Sequence, residues 1–139
     1  MGVLLSCLAA HAAMAGLLPS PWWVPDLTLA GLILAISRTP HRWMLLSGMA
    51  GLLTVVWVVR FPHVVLVGSL GLGWIVRTLA RQWDVTDLRL QCLIVAVASL
   101  LTTFGWLWLE GLWSLPLVAF AVVRVLMTSV SVPIIRRVA

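Results

Sequence analysis

The chain reads as an all-α integral membrane protein, a compact bundle of about six transmembrane helices, or five if the first is absent. Three observations predict this. Of 139 residues, 63% are hydrophobic and 9% are charged, and the mean hydropathy is +1.14. The charges sit in small clusters between apolar runs of roughly bilayer length. No polar run exceeds a short loop, so residues 1–139 form a single polytopic transmembrane domain with no room for a soluble module.

The first span covers residues 2–18 and ends at Pro19-Ser20-Pro21. Ala13-Met14-Ala15-Gly16 resembles a signal-peptidase site. However, no Lys or Arg precedes it and the apolar run continues to Leu18, so a retained span is expected. The second span, residues 22–36, is short. Pro25 followed by Asp26 marks its start, because Pro suits a first helical turn and an acid suits the positive end of the helix dipole. A polar loop from Ser37 to Arg42 leads to the third span, residues 43–59. Arg60-Phe61-Pro62-His63 makes a tight break before the fourth, residues 64–79. The longest polar stretch, Ala80 to Arg89, carries Arg81, Asp84, Asp87 and Arg89. The fifth span, residues 90–109, is free of charge. Glu110-Gly111 turns the chain into the sixth, residues 112–135, which carries Arg124 inside it.

All nine basic residues other than His are Arg. They are scattered over loops and form no surface stripe, which argues against nucleic acid as a partner. Their asymmetry instead predicts topology. With six spans and both termini inside, the inner loops and tail hold Arg38, Arg42, Arg77, Arg81, Arg89, Arg136 and Arg137, against Arg60 alone outside. This is a positive-inside pattern. Nine Trp and no Tyr suggest an aromatic belt, with a ring-stacking pocket as the sharper alternative. Cys7 and Cys92 lie in separate apolar runs and read as small membrane residues.

Arg124, about midway along a span, is the strongest local signal, since a buried Arg costs roughly 3 kcal/mol or more on insertion scales. It must snorkel, pair, or face a wet cavity. Asp26 and Glu110, both assigned to the outer side, are expected to lie too far away in depth to pair with it. Glu110 reads as a loop acid or as a salt bridge to an outer partner. His11 reads as a lone hydrogen-bonded helix contact. Ser47-x-x-x-Gly51 and Ser69-x-x-x-Gly73, with Gly68 beside the second, are small-residue patterns that permit close helix packing. No Ser/His/Asp set, no acid pair within a span and no metal-ligand spacing appears in the sequence, so neither an enzyme nor a resident cofactor or metal is expected.

From about Pro19 to Arg137 the layout resembles that of the bacterial rod shape-determining protein MreD family. The landmarks are a span opened by Pro25-Asp26-Leu27, a short basic loop with Pro40-His41-Arg42, and a span bearing Gly48 and Gly51. After these come a tight break, a small-residue span, a polar loop with Gln82, a long span ending in Trp108-Leu109-Glu110, and a last span closing on a basic tail. Thr54 and Thr103 stand where the family often carries acids. The resemblance implies a non-enzymatic scaffold of the cell-elongation machinery in the bacterial cytoplasmic membrane, a regulator of peptidoglycan synthesis. It also implies MreC as direct partner and RodA, a class B penicillin-binding protein and MreB as wider partners. Trp22, Trp23, Arg60, Glu110, Trp113 and Arg124 are the expected partner-binding residues. The family's presumed kinship with the S components of energy-coupling factor transporters implies their fold. It also supplies the alternative function, a vitamin-type small-molecule binder with an outer pocket of polar and aromatic groups.

Overall fold

A computed structural model describes residues 2–17, 24–57 and 61–138, and the side chain of Trp57 lies outside this set. Six α-helices follow one another: α1 (Gly2–Leu17), α2 (Leu27–Arg38), α3 (Trp43–Trp57), α4 (Pro62–Gln82), α5 (Leu88–Glu110) and α6 (Leu115–Val138). Among the described residues there is no strand. The six-helix expectation therefore holds, and α4, α5 and α6 are each long and apolar enough to cross a membrane. Of the partner-binding residues expected from the sequence, Trp22, Trp23 and Arg60 lie outside the described residues.

Local chemistry sets the helix ends. Asp26 caps α2 by accepting a hydrogen bond from the Leu29 amide at 3.1 Å. The same helix stops at Thr39, whose amide and hydroxyl both reach the Ala35 carbonyl. Pro40 follows, and a residue before Pro is disfavoured in the helical region. Pro62 opens α4 at a position where its missing N–H costs nothing. At the end of α5, Gly111 takes φ +66°, which glycine adopts without strain. Its amide bonds to the Trp108 carbonyl and the Leu112 amide to the Leu107 carbonyl, a Schellman cap.

The architecture is three helical hairpins, α1–α2, α3–α4 and α5–α6, with α2 at the centre packed against every other helix. Ten of the twelve α2 residues are buried. A helix apolar all round must be enclosed by others, and the run Leu27-Thr28-Leu29-Ala30-Gly31-Leu32-Ile33-Leu34-Ala35-Ile36 is that kind of helix. By contrast α6 buries a single stripe, Ala121, Val125, Thr128 and Val132, at the spacing of one helix face. Lipid takes the place of water around the rest, so exposed Leu126, Met127 and Val130 are ordinary there.

Small residues set the closest helix contacts. On α3 and α4, Ser47 lies against Gly73 and Gly51 against Ser69, two interlocked pairs in which no added Cβ would fit. Gly31 of α2 lies equally close to Cys7 of α1. Gly68, expected in the same packing set, instead faces open space.

Several span boundaries differ from the sequence reading, among them the sixth, which runs Leu115–Val138. The second span begins at Leu27, because Val24, Pro25 and Asp26 precede the helix and Asp26 serves as its cap. The fourth is longer than expected, 21 residues, because Pro62 and His63 form its first turn and the helix runs through Arg81 to Gln82.

One end of the bundle gathers Arg38, Arg42, Arg81, Arg89, Arg136 and Arg137. It is tied shut. Gln91 donates from Nε2 to Ser37 Oγ at 3.2 Å, Arg136 donates to the Thr86 carbonyl at 2.9 Å, and the Arg77 guanidinium lies 5.5 Å over the Trp43 ring. Outside the helices at this end, Asp84 accepts from the Thr86 hydroxyl and amide, which together hold its carboxyl below the usual range.

Candidate functional site: a cavity at the head of α2

Twelve residues at 1.5 Å each give α2 a length of about 18 Å, well short of a hydrocarbon core of about 30 Å. Its first residue therefore lies at membrane depth. The space that a full-length second helix would fill is a cavity of about 520 Å³, walled by all six helices. Its floor is the α2 head, with Val24, Asp26, Thr28, Leu29 and Leu32. Side chains without bulk open it up: Ala12 and Ala15 on α1, Ala50 on α3, Gly68 on α4 and Gly105 on α5. Neither Gly68 nor Gly105 has an atom within 4 Å of where a Cβ would be.

Arg124 and Asp26 meet in this cavity, with Nη2 3.8 Å from Oδ2 and both side chains about one-fifth exposed. This corrects the expectation that the in-chain acids sit at the wrong depth. Asp26 precedes Arg38 by twelve residues, and Arg124 precedes Arg136 by twelve. Both helices run toward the same end, so both groups lie about 18 Å from it. The late start of α2 draws Asp26 inward to the level of Arg124.

The surrounding bonds fix this arrangement. The Asp26 amide donates to Thr128 Oγ1 at 2.8 Å, and that hydroxyl donates to the Arg124 carbonyl at 2.8 Å. One turn of α6 thus supplies both the cation and the group that seats the acid's backbone. On the opposite side His11 Nδ1 lies 3.1 Å from the Pro25 carbonyl, tying α1 to the residue before the cap. Asp26 spends Oδ1 on the α2 cap and keeps Oδ2 for Arg124. The guanidinium is under-used: its contact to Oδ2 exceeds hydrogen-bond range and its Nε, buried, has no hydrogen-bond partner.

The other hydroxyls on the wall are largely spent locally. Thr54, Ser69 and Thr102 donate to carbonyls of their own helices. Trp106 lines the cavity and meets Phe61 edge-on at 6.2 Å, which joins the head of α4 to α5. Phe61 is left-handed at φ +57°, the turn that aims its ring at α5.

Of the expected partner-binding residues that the structure describes, Arg124 alone reaches the cavity. Glu110 ends α5, and Trp113 is exposed in the following turn with its ring tilted on Phe104. The sequence reading missed Thr128 as a partner of Asp26 and His11 as a tie to Pro25. Arg124 and Thr128, four apart, share one face of α6, and that spacing was the available signal. Comparison with protein-family models, curated proteins and solved structures finds no match to the chain.

Proposed function

We propose that this chain is a non-enzymatic membrane scaffold of the bacterial cell-elongation machinery, of the MreD type. In this reading it lies in the cytoplasmic membrane with its Arg-rich end inside. It holds MreC and, through it, helps to regulate the synthase formed by RodA and a penicillin-binding protein. The observation that carries the reading is the set of clefts between hairpins. The α3–α4 and α5–α6 hairpins pack on α2 more than on one another, and α4 offers Gly68 and Gly71 to open space. Small, unoccupied helix positions of this kind let another transmembrane helix approach closely.

The cavity favours a second reading, a small-molecule binder like the S components, because its volume falls in the range of ligand pockets, about 300–1,000 Å³. Affinity purification from the native host in mild detergent separates the two, with proteomics and small-molecule mass spectrometry on one sample. Stoichiometric recovery of a single-span protein with a large outer domain supports the scaffold. Recovery of ATPase subunits or a stoichiometric vitamin in its place overturns it.

A further inference from the structure

We infer that the cavity at the head of α2 binds an uncharged molecule with an apolar body and one hydrogen-bonding edge, a donor beside an acceptor, as in a cyclic urea, a lactam or a carboxamide. The inference deepens the small-molecule reading of the cavity and is independent of the elongation partners.

Charge decides the ligand class. Arg124 and Asp26 cancel, so the polar corner of the cavity is neutral. A carboxylate ligand would meet Asp26 as a like charge, and an ammonium would meet Arg124. Either would bring an uncompensated charge into a region of low dielectric, which costs several kcal/mol. The head of α2, otherwise an anion site, already has its own carboxylate in the Asp26 cap. A neutral edge carries no such penalty. Its carbonyl would accept from the guanidinium Nη2, which is beyond bonding distance of Asp26. Its N–H would donate to Asp26 Oδ2, the oxygen not used by the cap. The ion pair is spaced for a group to bridge it. Away from this corner the walls are mainly Leu, Val and Ala, with the hydroxyls of Thr54, Ser69 and Thr102 turned to their own helices and Trp106 as a flat face for a ring or chain.

The test uses the full chain in lipid nanodiscs with three probes sharing one tail: N-octylimidazolidinone, octanoate and octyltrimethylammonium. Equilibrium dialysis gives the affinities. The expected result is saturable binding of the cyclic urea, at least about tenfold tighter than either charged probe. Gly105→Leu should abolish it by filling the cavity without lowering the melting temperature, because open space surrounds that position. Asp26→Asn leaves the Arg124 charge uncompensated and should turn the preference toward octanoate. Equal binding of all three by the wild type would mean an acyl-chain pocket only and overturns the inference. So does tighter binding of octanoate, unchanged binding in Gly105→Leu, or no saturable binding at all. Recovery of MreC from the host is unaffected by any of these outcomes, so the scaffold reading stands or falls separately.

Discussion

The two ends of the bundle are built on opposite plans. At the Arg-rich end the helices converge: Ser37, Val85, Gln91, Val95 and Val132 are all buried there, and side chains bridge from one hairpin to the next. At the other end α2 begins only at Leu27, and the hairpins stand around a cavity held open by glycine and alanine. Apolar packing closes the first end, while a charge pair at 3.8 Å, seated by Thr128, holds the second. The two ends thus differ in what holds them: the first is filled by side chains, and the second depends on a few polar contacts around Asp26.

Asp26→Ala should produce the largest loss. It removes the α2 cap, worth about 1 kcal/mol, and leaves Arg124 as an unpaired charge, which costs about 3–5 kcal/mol. Thermal unfolding in detergent should show the steepest drop for this variant. Asp26→Asn should recover part of it, because the amide oxygen can still cap. If Asp26→Ala melts like wild type, the open end does not depend on the pair.

Gly73→Leu comes next. Its side chain would overlap Ser47, so overpacking of about 1–3 kcal/mol is expected. Gly71→Leu, two residues away in open space, serves as its control and should stay within about 0.5 kcal/mol. Equal melting of the two would remove the α3–α4 interlock as a source of stability.

Gln91→Met tests the closed end. The change loses the bond to Ser37, worth about 1 kcal/mol, but also removes Oε1, a buried acceptor without a partner. The two effects oppose, so the melting temperature should barely move. A large drop would show that the polar tie outweighs apolar packing at this end.

The smallest effect should be that of pH on Asp84. Its carboxyl is held below the usual range chiefly by Thr86. A depressed folded-state value means the contribution is complete above the ordinary carboxylate range and fades as acid is added through the folded value. Thr86→Val should therefore lower stability slightly at neutral pH and flatten the loss on acidification, so that the variant and wild-type curves converge below the folded value.

Helix number and the Arg asymmetry were legible because both rest on local composition: apolar runs and the clusters between them. The interlocked Ser47–Gly73 and Gly51–Ser69 pairs were half legible, since spacing marked the small residues but not their facing partners. Arg124 was legible as costly, yet its partner was not. The reading opened the second span at Pro25-Asp26 and so placed Asp26 near the outer surface. Counting residues back from Arg38 and Arg136 gives one depth for both groups, but only once α2 is known to be a short helix beginning after Asp26. The cavity was not legible at all, because it exists where side chains are absent, and five helices must be assembled around α2 before the gap has walls.

The shortness of α2 also bears on how the chain enters a bilayer. A segment of twelve residues does not cross a hydrocarbon core alone, so it must go in as a hairpin with α1, carrying Asp26 to membrane depth with its cap already formed. The cation and hydroxyl that seat that acid lie about a hundred residues later, on α6. Until α6 is made and inserted, Asp26 remains a buried anion without its counter-charge. Insertion of α6 with Arg124 and Thr128 is therefore the step that supplies the counter-charge, and chains cut short before α6 keep the unpaired anion.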